Sequence, residues 1–522
     1  MLTQKISIRV MVKILVNYKK LRFLLGLRFI SPKTSLETED KKGFFKSNRL
    51  RFSKQEKGII VFAIIVILLL SFFTFLPRAN QSTPSPQPTD SPIASPSDTP
   101  QETTNPTHKP NIGSQISNIL TGISDGITQV FTPPKAPGTI ESAETMNSTV
   151  WRAVAANAWQ YFQPGIGVDP NTGLPRNGGT DSTTFTDWDL GVYIQAVIDA
   201  QKIGLIGTDG DWNSSARLET VVKFLETREL NETTHYPYWF YQAVDGKDYH
   251  KNSDLATSTV DGVDTGRLFV ALNNLRNFNS SLAPRINDIV LNKGPYHNRS
   301  DYSVLVPAIK AESLYSTSIY AYYVASGFAS FWPNELSNAT STILNNIRVR
   351  GTTTTSENVT LPLADILGDP LYCSVFETSN SSQLMVIAQQ VYLAHEAYYN
   401  ATLQATGQGQ YRAFSEGSSL STHWAYEWVV LSDGRTWVVL DEQYHDYNIS
   451  PMIYTKIAMS FLAIYNTTYA HDMVVYLERT LPDPINGYSE GVDESGAQLT
   501  GVGLNTNGMI IGAAKYAIQN NP

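Results

Sequence analysis

The sequence predicts a mainly α fold, an (α/α)6 toroid of helical hairpins with short β-hairpin insertions, preceded by one transmembrane helix. Three observations carry this expectation. Apolar residues recur at helical spacing in eleven segments between residues 141 and 519, and two-helix hairpins repeated about six times can close into an inner and an outer ring. An acidic or amide-rich turn runs straight into a helix of small and apolar residues at three places: TFTDWDLGVYIQAVIDAQKIGLI (184–206), STVDGVDTGRLFVAL (258–272), and GYSEGVDESG followed by LNTNGMIIGAAKYA (487–517). Between a basic start and an acidic remainder lies one uncharged apolar run, IIVFAIIVILLLSFFTFL, from Ile59 to Leu76.

Charge divides the chain before any helix is considered. Residues 1–58 carry +11 and the remainder −19, within a total of −8 over 522 residues. The run 59–76 is about long enough to span a hydrocarbon core. Basic residues flank its N-terminal side, so the tail 1–58 is expected in the cytoplasm and the C-terminal part outside the cell membrane. Leu76-Pro77-Arg78 is a poor cleavage site, which favours a retained anchor over a signal peptide. Residues 77–139 read as a Pro/Ser/Thr-rich linker, with an amphipathic segment at 111–131. The ectodomain is expected over 140–522.

Eleven Asn-x-Ser/Thr sequons, from Asn147 to Asn466, fit a glycosylated surface protein. The single cysteine, Cys373, excludes an intrachain disulfide and reads as a small buried hydrophobe. No phosphate-binding loop or dinucleotide fingerprint is present, so no cofactor is expected, and an acidic ectodomain argues against nucleic acid. Asp209-Gly210-Asp211-Trp212-Asn213 begins like a calcium loop, but Ser214 and Thr220 stand where Gly and a bidentate Glu are needed; no metal is expected.

Helices are predicted over 141–163, 186–203, 213–229, 263–277, 281–292, 308–328, 334–347, 380–403, 450–465, 469–480 and 506–519. In the second of these, Leu190, Ile194 and Val197 form an apolar stripe and Gly204 stands at a left-handed C-cap. Strands are expected at Tyr236 to Tyr241 and over 427–441, where Asp433-Gly434 turns a hairpin. In a closed ring the inner helices run parallel, so alternate helices begin on one rim. The three acidic turns precede the second, fourth and last helices of an expected eleven or twelve, and with an even count that parity places them around one funnel.

At these residues the chain resembles the DUF3131 family, within the wider set of glucoamylase-like (α/α)6 proteins. The resemblance is carried by AWQYFQ (158–163), TGL (172–174), TDWDLGVYIQAVIDAQKIGLI, RLETVVKFLETREL (217–230), STVDGVDTGRLFVALNNL, and the closing YSEG with LNTNGMIIGAAKY. It is thin across the middle, and Gly512-Ala513 stand where the family usually has Glu-Ala. The resemblance implies a protein that handles poly- or oligosaccharide, with a glycoside hydrolase-like activity, and a carboxylate before the last helix, here Glu490, as general base. A non-catalytic glycan-binding or envelope-organising protein on the same fold is the alternative.

Glycosidic cleavage needs one protonated carboxyl at the leaving oxygen and one carboxylate that activates water or attacks the anomeric carbon. Asp187, Asp189 and Asp264 are the candidates for the acid or for gripping sugar hydroxyls. Trp188, Tyr236, Tyr238 and Trp239 offer faces for stacking a pyranose. Asn505 and Asn507 would supply amide hydrogen bonds, and Arg267 joins this binding set, with pairing to the acids as its other reading. Thr186-x-x-Asp189 and Asp261-x-x-Asp264 also fit capping boxes, so each of those aspartates has a structural reading beside the chemical one.

Overall fold

The computed structural model describes residues 139–520, apart from short segments at 143–144, 179–181, 250–258, 295–299, 379–380 and 421–423. The basic tail, the apolar run 59–76 and the segment 111–131 lie outside the described residues. Among the described residues no helix is long and apolar enough to cross a membrane.

Thirteen α-helices occur among the described residues. They are α1 (Ser148–Trp159), α2 (Asp187–Lys202), α3 (Ser214–Thr227), α4 (Gly262–Phe278), α5 (Ala283–Leu291), α6 (Val306–Ser313), α7 (Ile319–Phe331), α8 (Ala339–Arg350), α9 (Gly368–Glu377), α10 (Ser382–Thr406), α11 (Thr455–Tyr465), α12 (Thr468–Thr480) and α13 (Leu504–Asn520). Helix α2 packs on α4, α4 on α7, α7 on α9, α9 on α11, α11 on α13, and α13 back on α2, so six helices close a ring. Outside it, α1 lies against α13, α3 against α2, α5 against α4, α8 against α7, α10 against α9 and α12 against α11. The toroid expected from the sequence is the one observed.

Burial separates the two rings. In α2, 14 of 16 residues are buried, whereas in the outer helix α10 only 7 of 25 are. Close approach of the inner helices depends on glycine. A Cβ on Gly266 would lie 2.7 Å from Val324 Cα, and one on Gly327 would lie 2.2 Å from the Gly266 carbonyl oxygen, so the α4 and α7 backbones touch there.

Among the described residues ten short strands make four small antiparallel sheets: β1 (Thr184–Phe185) with β2 (Tyr241–Gln242), β3 (Thr352–Thr354) with β4 (Thr360–Pro362), β5 (Glu416–Ser418) with β6 (Trp424–Val430) and β7 (Thr436–Leu440), and β8 (Met452–Tyr454) with β9 (Ser489–Asp493) and β10 (Gln498–Val502). The predicted hairpin is β6–β7, with Gly434 in the turn at φ +92°. The strand expected at 236–241 is extended only from Tyr241, with single bridges at Pro237 and Tyr238.

Two further departures concern helices. The predicted helix 308–328 is two helices, because the Ser316-Thr317-Ser318 run breaks it and the Ser318 side chain caps α7 through the Tyr320 amide at 3.2 Å. Helix α9 was not predicted: nine of its ten residues are buried, so it shows no polar face and hence no periodicity. Gly204 takes the left-handed conformation at the end of α2, at φ +75°, with the Leu205 amide donating back to the Ala200 carbonyl at 2.8 Å. Cys373 is buried, as its reading required.

Candidate active site at the N-terminal rim

Every inner helix is entered from extended backbone. β1 leads into α2, β8 into α11 and β10 into α13. Bridges at Thr259, Ser318 and Ile366 immediately precede α4, α7 and α9. Six helix N-termini therefore share one rim, the second, fourth and last helices among them. Their partial positive charge favours carboxylates there, and Asp187, Asp189, Asp261, Asp264 and Asp369 stand in those first turns or caps.

On the α2 and α4 side, two of the expected catalytic aspartates are drawn into the architecture. Asp187 is wholly buried and forms a two-pronged ion pair with Arg228, at 2.5 Å and 3.3 Å; Arg228 also donates to the Tyr302 hydroxyl at 3.0 Å. Asp189 completes the capping box of α2, accepting the Thr186 amide at 2.8 Å, and burial pushes its carboxyl up to about 6. Neither has a free side chain to offer a substrate.

Asp264 differs. The N-cap of α4 is Asp261, whose carboxylate accepts the amides of Val263 at 2.9 Å and Asp264 at 2.8 Å. Asp264 returns no bond to that cap; its side chain lies near the Thr186 hydroxyl at the start of α2. Burial, and then the charges of Asp261, Asp189 and Asp187, raise its carboxyl well above the usual range. Asp261 is raised to about 6, mainly by burial.

The opposite arc is built around a residue the sequence reading missed. Asp369, at the start of α9, is 0 % exposed and pairs with Lys456 of α11 at 2.8 Å. Ser415 and Asn505 also donate to it. Asn505 in turn accepts the Trp188 indole N–H at 3.4 Å, so a polar seam runs across α11, α9, α13 and α2. Lys456 further donates to the Glu416 carbonyl at 2.7 Å. Burial, and then the Asp369 charge, push the Glu416 carboxyl up to about 8. The signals for these residues were a GDP turn at 368–370 and a lone lysine in the otherwise uncharged helix TKIAMSFLAIY.

Glu490, on β9, faces the first turn of α13. It accepts the Thr506 hydroxyl at 2.6 Å, and one of its oxygens lies 2.0 Å from where a Gly503 Cβ would stand. Its carboxyl is raised by burial, against the opposing pull of Lys456 and of the Thr506 bond. By sequence no helix starts near Glu490; in space α13 does, because the β9–β10 hairpin folds back.

The expected binding residues divide likewise. Trp188 is 9 % exposed, lies 6.4 Å from the Tyr320 ring and 6.1 Å from the Tyr323 ring, and has the Arg267 guanidinium 5.5 Å from its own ring. Arg267 is buried and ion-paired with Glu377, so it supports this floor and does not reach a substrate. Asn507 is also withdrawn: it accepts the Tyr488 amide at 2.7 Å and donates to the carbonyls of Tyr488 and Gly503, which fixes the turn before β9. Asn505 stays half-buried at the mouth. Tyr236, Tyr238 and Trp239 are half-buried in the loop beside α4, where the Val260 amide donates to Pro237 at 3.0 Å; the Tyr236 hydroxyl is already spent on the Asp301 carbonyl.

Fold and site together define a closed double ring of helices carrying an acidic, aromatic cluster at the rim where the inner helices begin. The chain belongs to a family described as a protein of unknown function (DUF3131), whose model matches residues 153–520. No curated protein matches its sequence. Among solved structures it is similar to a candidate glucoamylase from Bacteroides caccae, with 14 % identity over 72 % of this chain and 95 % of that one and a TM-score of 0.48. It is also similar to an endo-β-1,2-glucanase from Chitinophaga pinensis in complex with sophorotriose and glucose, with 13 % identity, 72 % and 95 % coverage and a TM-score of 0.48. A third is an endo-β-1,2-glucanase from Talaromyces funiculosus with sophorose, with 9 % identity, 73 % and 89 % coverage and a TM-score of 0.43. These are likenesses of outline; the ring rests on the helix packing of this chain itself.

Proposed function

We propose that this protein is a membrane-anchored, extracytoplasmic glycoside hydrolase, with Asp264 as general acid and Glu490 as general base. The observation that carries the reading is a difference in surroundings between two buried carboxyls on one rim: beside Asp264 stand Asp261, Asp189 and Asp187, which add to the rise that burial causes, whereas beside Glu490 stands Lys456, which opposes it. In this reaction the Asp264 proton passes to the leaving oxygen as the bond to the anomeric carbon breaks. Glu490 takes a proton from the water that attacks that carbon. Trp188 gives the sugar a floor, and Asn505, oriented by Asp369, offers an amide at its edge. The anchor rests on the apolar run 59–76 with its basic N-terminal flank, and the outer location on the same charge asymmetry and the sequons.

One observation favours glycan binding without cleavage: the Glu490 bond to Thr506 is also a contact that stabilises a helix start. A single experiment separates the readings. The full chain is incubated with a panel of neutral glucans beside Glu490→Gln and Asp264→Asn, and new reducing ends are counted. Release by the unsubstituted protein, lost in both variants, is the expected result; binding without release moves the assignment to a glycan-binding protein.

A further inference from the structure

Strand β6 carries an aromatic series that the rim chemistry does not use. Trp424, Tyr426 and Trp428 alternate along it and so share one face. Their exposure falls along the strand: Trp424 is 38 % exposed, Tyr426 is half-buried and Trp428 is 5 % exposed. Tyr444, 39 % exposed and held at φ +63°, stacks on Tyr426 with ring centroids 5.7 Å apart and planes at 25°. At the inner end, Trp428 meets Tyr320 edge-on at 6.2 Å, and Tyr320 lies 6.4 Å from Trp188 at the rim. Tyr426 stands directly opposite Glu416 in the β5–β6 register, which brings the series beside one carboxyl of the rim. The hairpin core of Leu367, Trp428, Leu431 and Leu440, with Tyr426 packed against it, ends short of Trp424 and Tyr444, which stay exposed beyond it. The Trp428 indole N–H is buried with no hydrogen-bond partner among the described residues, although such donors are ordinarily satisfied.

We propose that Trp424 and Tyr444 form an outer platform for a neutral polysaccharide chain, at the exposed end of the aromatic series that packs inward through Trp428 and Tyr320 to Trp188. The proposal rests on the glycan-handling reading above. It makes the protein a binder of long chains, with sugar rings stacked outside the reacting position as well as within it. Aromatic faces suit a hydroxyl-rich, uncharged ligand, and the carboxylates at the inner end disfavour an anionic one.

The test uses the full chain carrying Glu490→Gln, titrated with a disaccharide and a heptasaccharide from each of two series, malto-oligosaccharides and β-1,2-linked gluco-oligosaccharides. Binding is followed by calorimetry. Adding Trp424→Ala with Tyr444→Ala is expected to weaken heptasaccharide binding about tenfold or more, equivalent to roughly 1.4 kcal/mol, and to leave disaccharide binding unchanged. Tyr444→Phe keeps the ring and is expected to keep the affinity. Equal weakening at both lengths, no weakening at either, or no binding in either series overturns the platform. Length-dependent binding by an unsubstituted protein that releases no sugar keeps the platform and removes the hydrolase.

Discussion

The Lys456–Asp369 pair gives the sharpest prediction about what holds the rim together. Its side chains are 1 % and 0 % exposed, and they lie 2.8 Å apart. Lys456→Met removes the ammonium but leaves the Asp369 carboxylate buried, with only Ser415 and Asn505 still donating to it. Stranding a buried charge in this way costs about 3–5 kcal/mol, since the desolvation penalty stays while the attraction goes. Asp369→Leu strands Lys456 and costs a similar amount. The double substitution Asp369→Leu with Lys456→Met removes both charges, so it is expected to cost less than the sum of the singles, by about 2 kcal/mol or more. Urea unfolding of the four proteins, compared at constant slope, measures this. Single substitutions each costing less than about 1 kcal/mol, with simple addition in the double, would mean that water reaches the pair and that the seam does not close the ring.

Three other perturbations follow from the same structure. Gly266→Ala, whose Cβ would lie 2.7 Å from Val324 Cα, is expected to cost about 1–3 kcal/mol by urea midpoint. Gly512→Ala meets nothing nearer than 3.7 Å within α13, so it is expected to stabilise by about 0.4–1 kcal/mol. The Glu416 carboxyl is raised in the folded protein from 4.5 to about 8. The stability this contributes is fully present below about pH 4.5 and is lost as pH rises through about 8, with a slope of at most about 1.4 kcal/mol per pH unit. Glu416→Gln is expected to flatten that part of the stability curve, and an unchanged slope refutes the assignment.

How much of this was legible in the sequence depended on what each residue needed. The ring was readable because polar turns lead into helices of small and apolar residues; strict alternation does not hold, since α6 intervenes and the inner helices are the second, fourth, seventh, ninth, eleventh and thirteenth. Helix α9 was not, because a helix buried all round has no amphipathic signature; with it went Asp369, the hub of the seam. Asp187 and Asp264 look alike as sequence, each an aspartate in the first turn of an inner helix. Their roles divide on a partner 41 residues from Asp187, the guanidinium of Arg228, which pairs with Asp187 and has no counterpart at Asp264 among the described residues. Asn505 and Asn507 divide in the same way, one at the mouth and one consumed by the Tyr488 turn.

The most direct test of the central claim is the action of Asp264→Asn and Glu490→Gln on glycosyl fluorides, compared with glycans of the same sugar. Fluoride leaves without needing a proton, so a variant lacking only the acid keeps its activity on the fluoride. On glycans it falls by about a hundredfold to ten-thousandfold. The account predicts this split for Asp264→Asn and loss on both substrates for Glu490→Gln. Undiminished glycan cleavage by either variant, or equal loss on both substrates in Asp264→Asn, would contradict it.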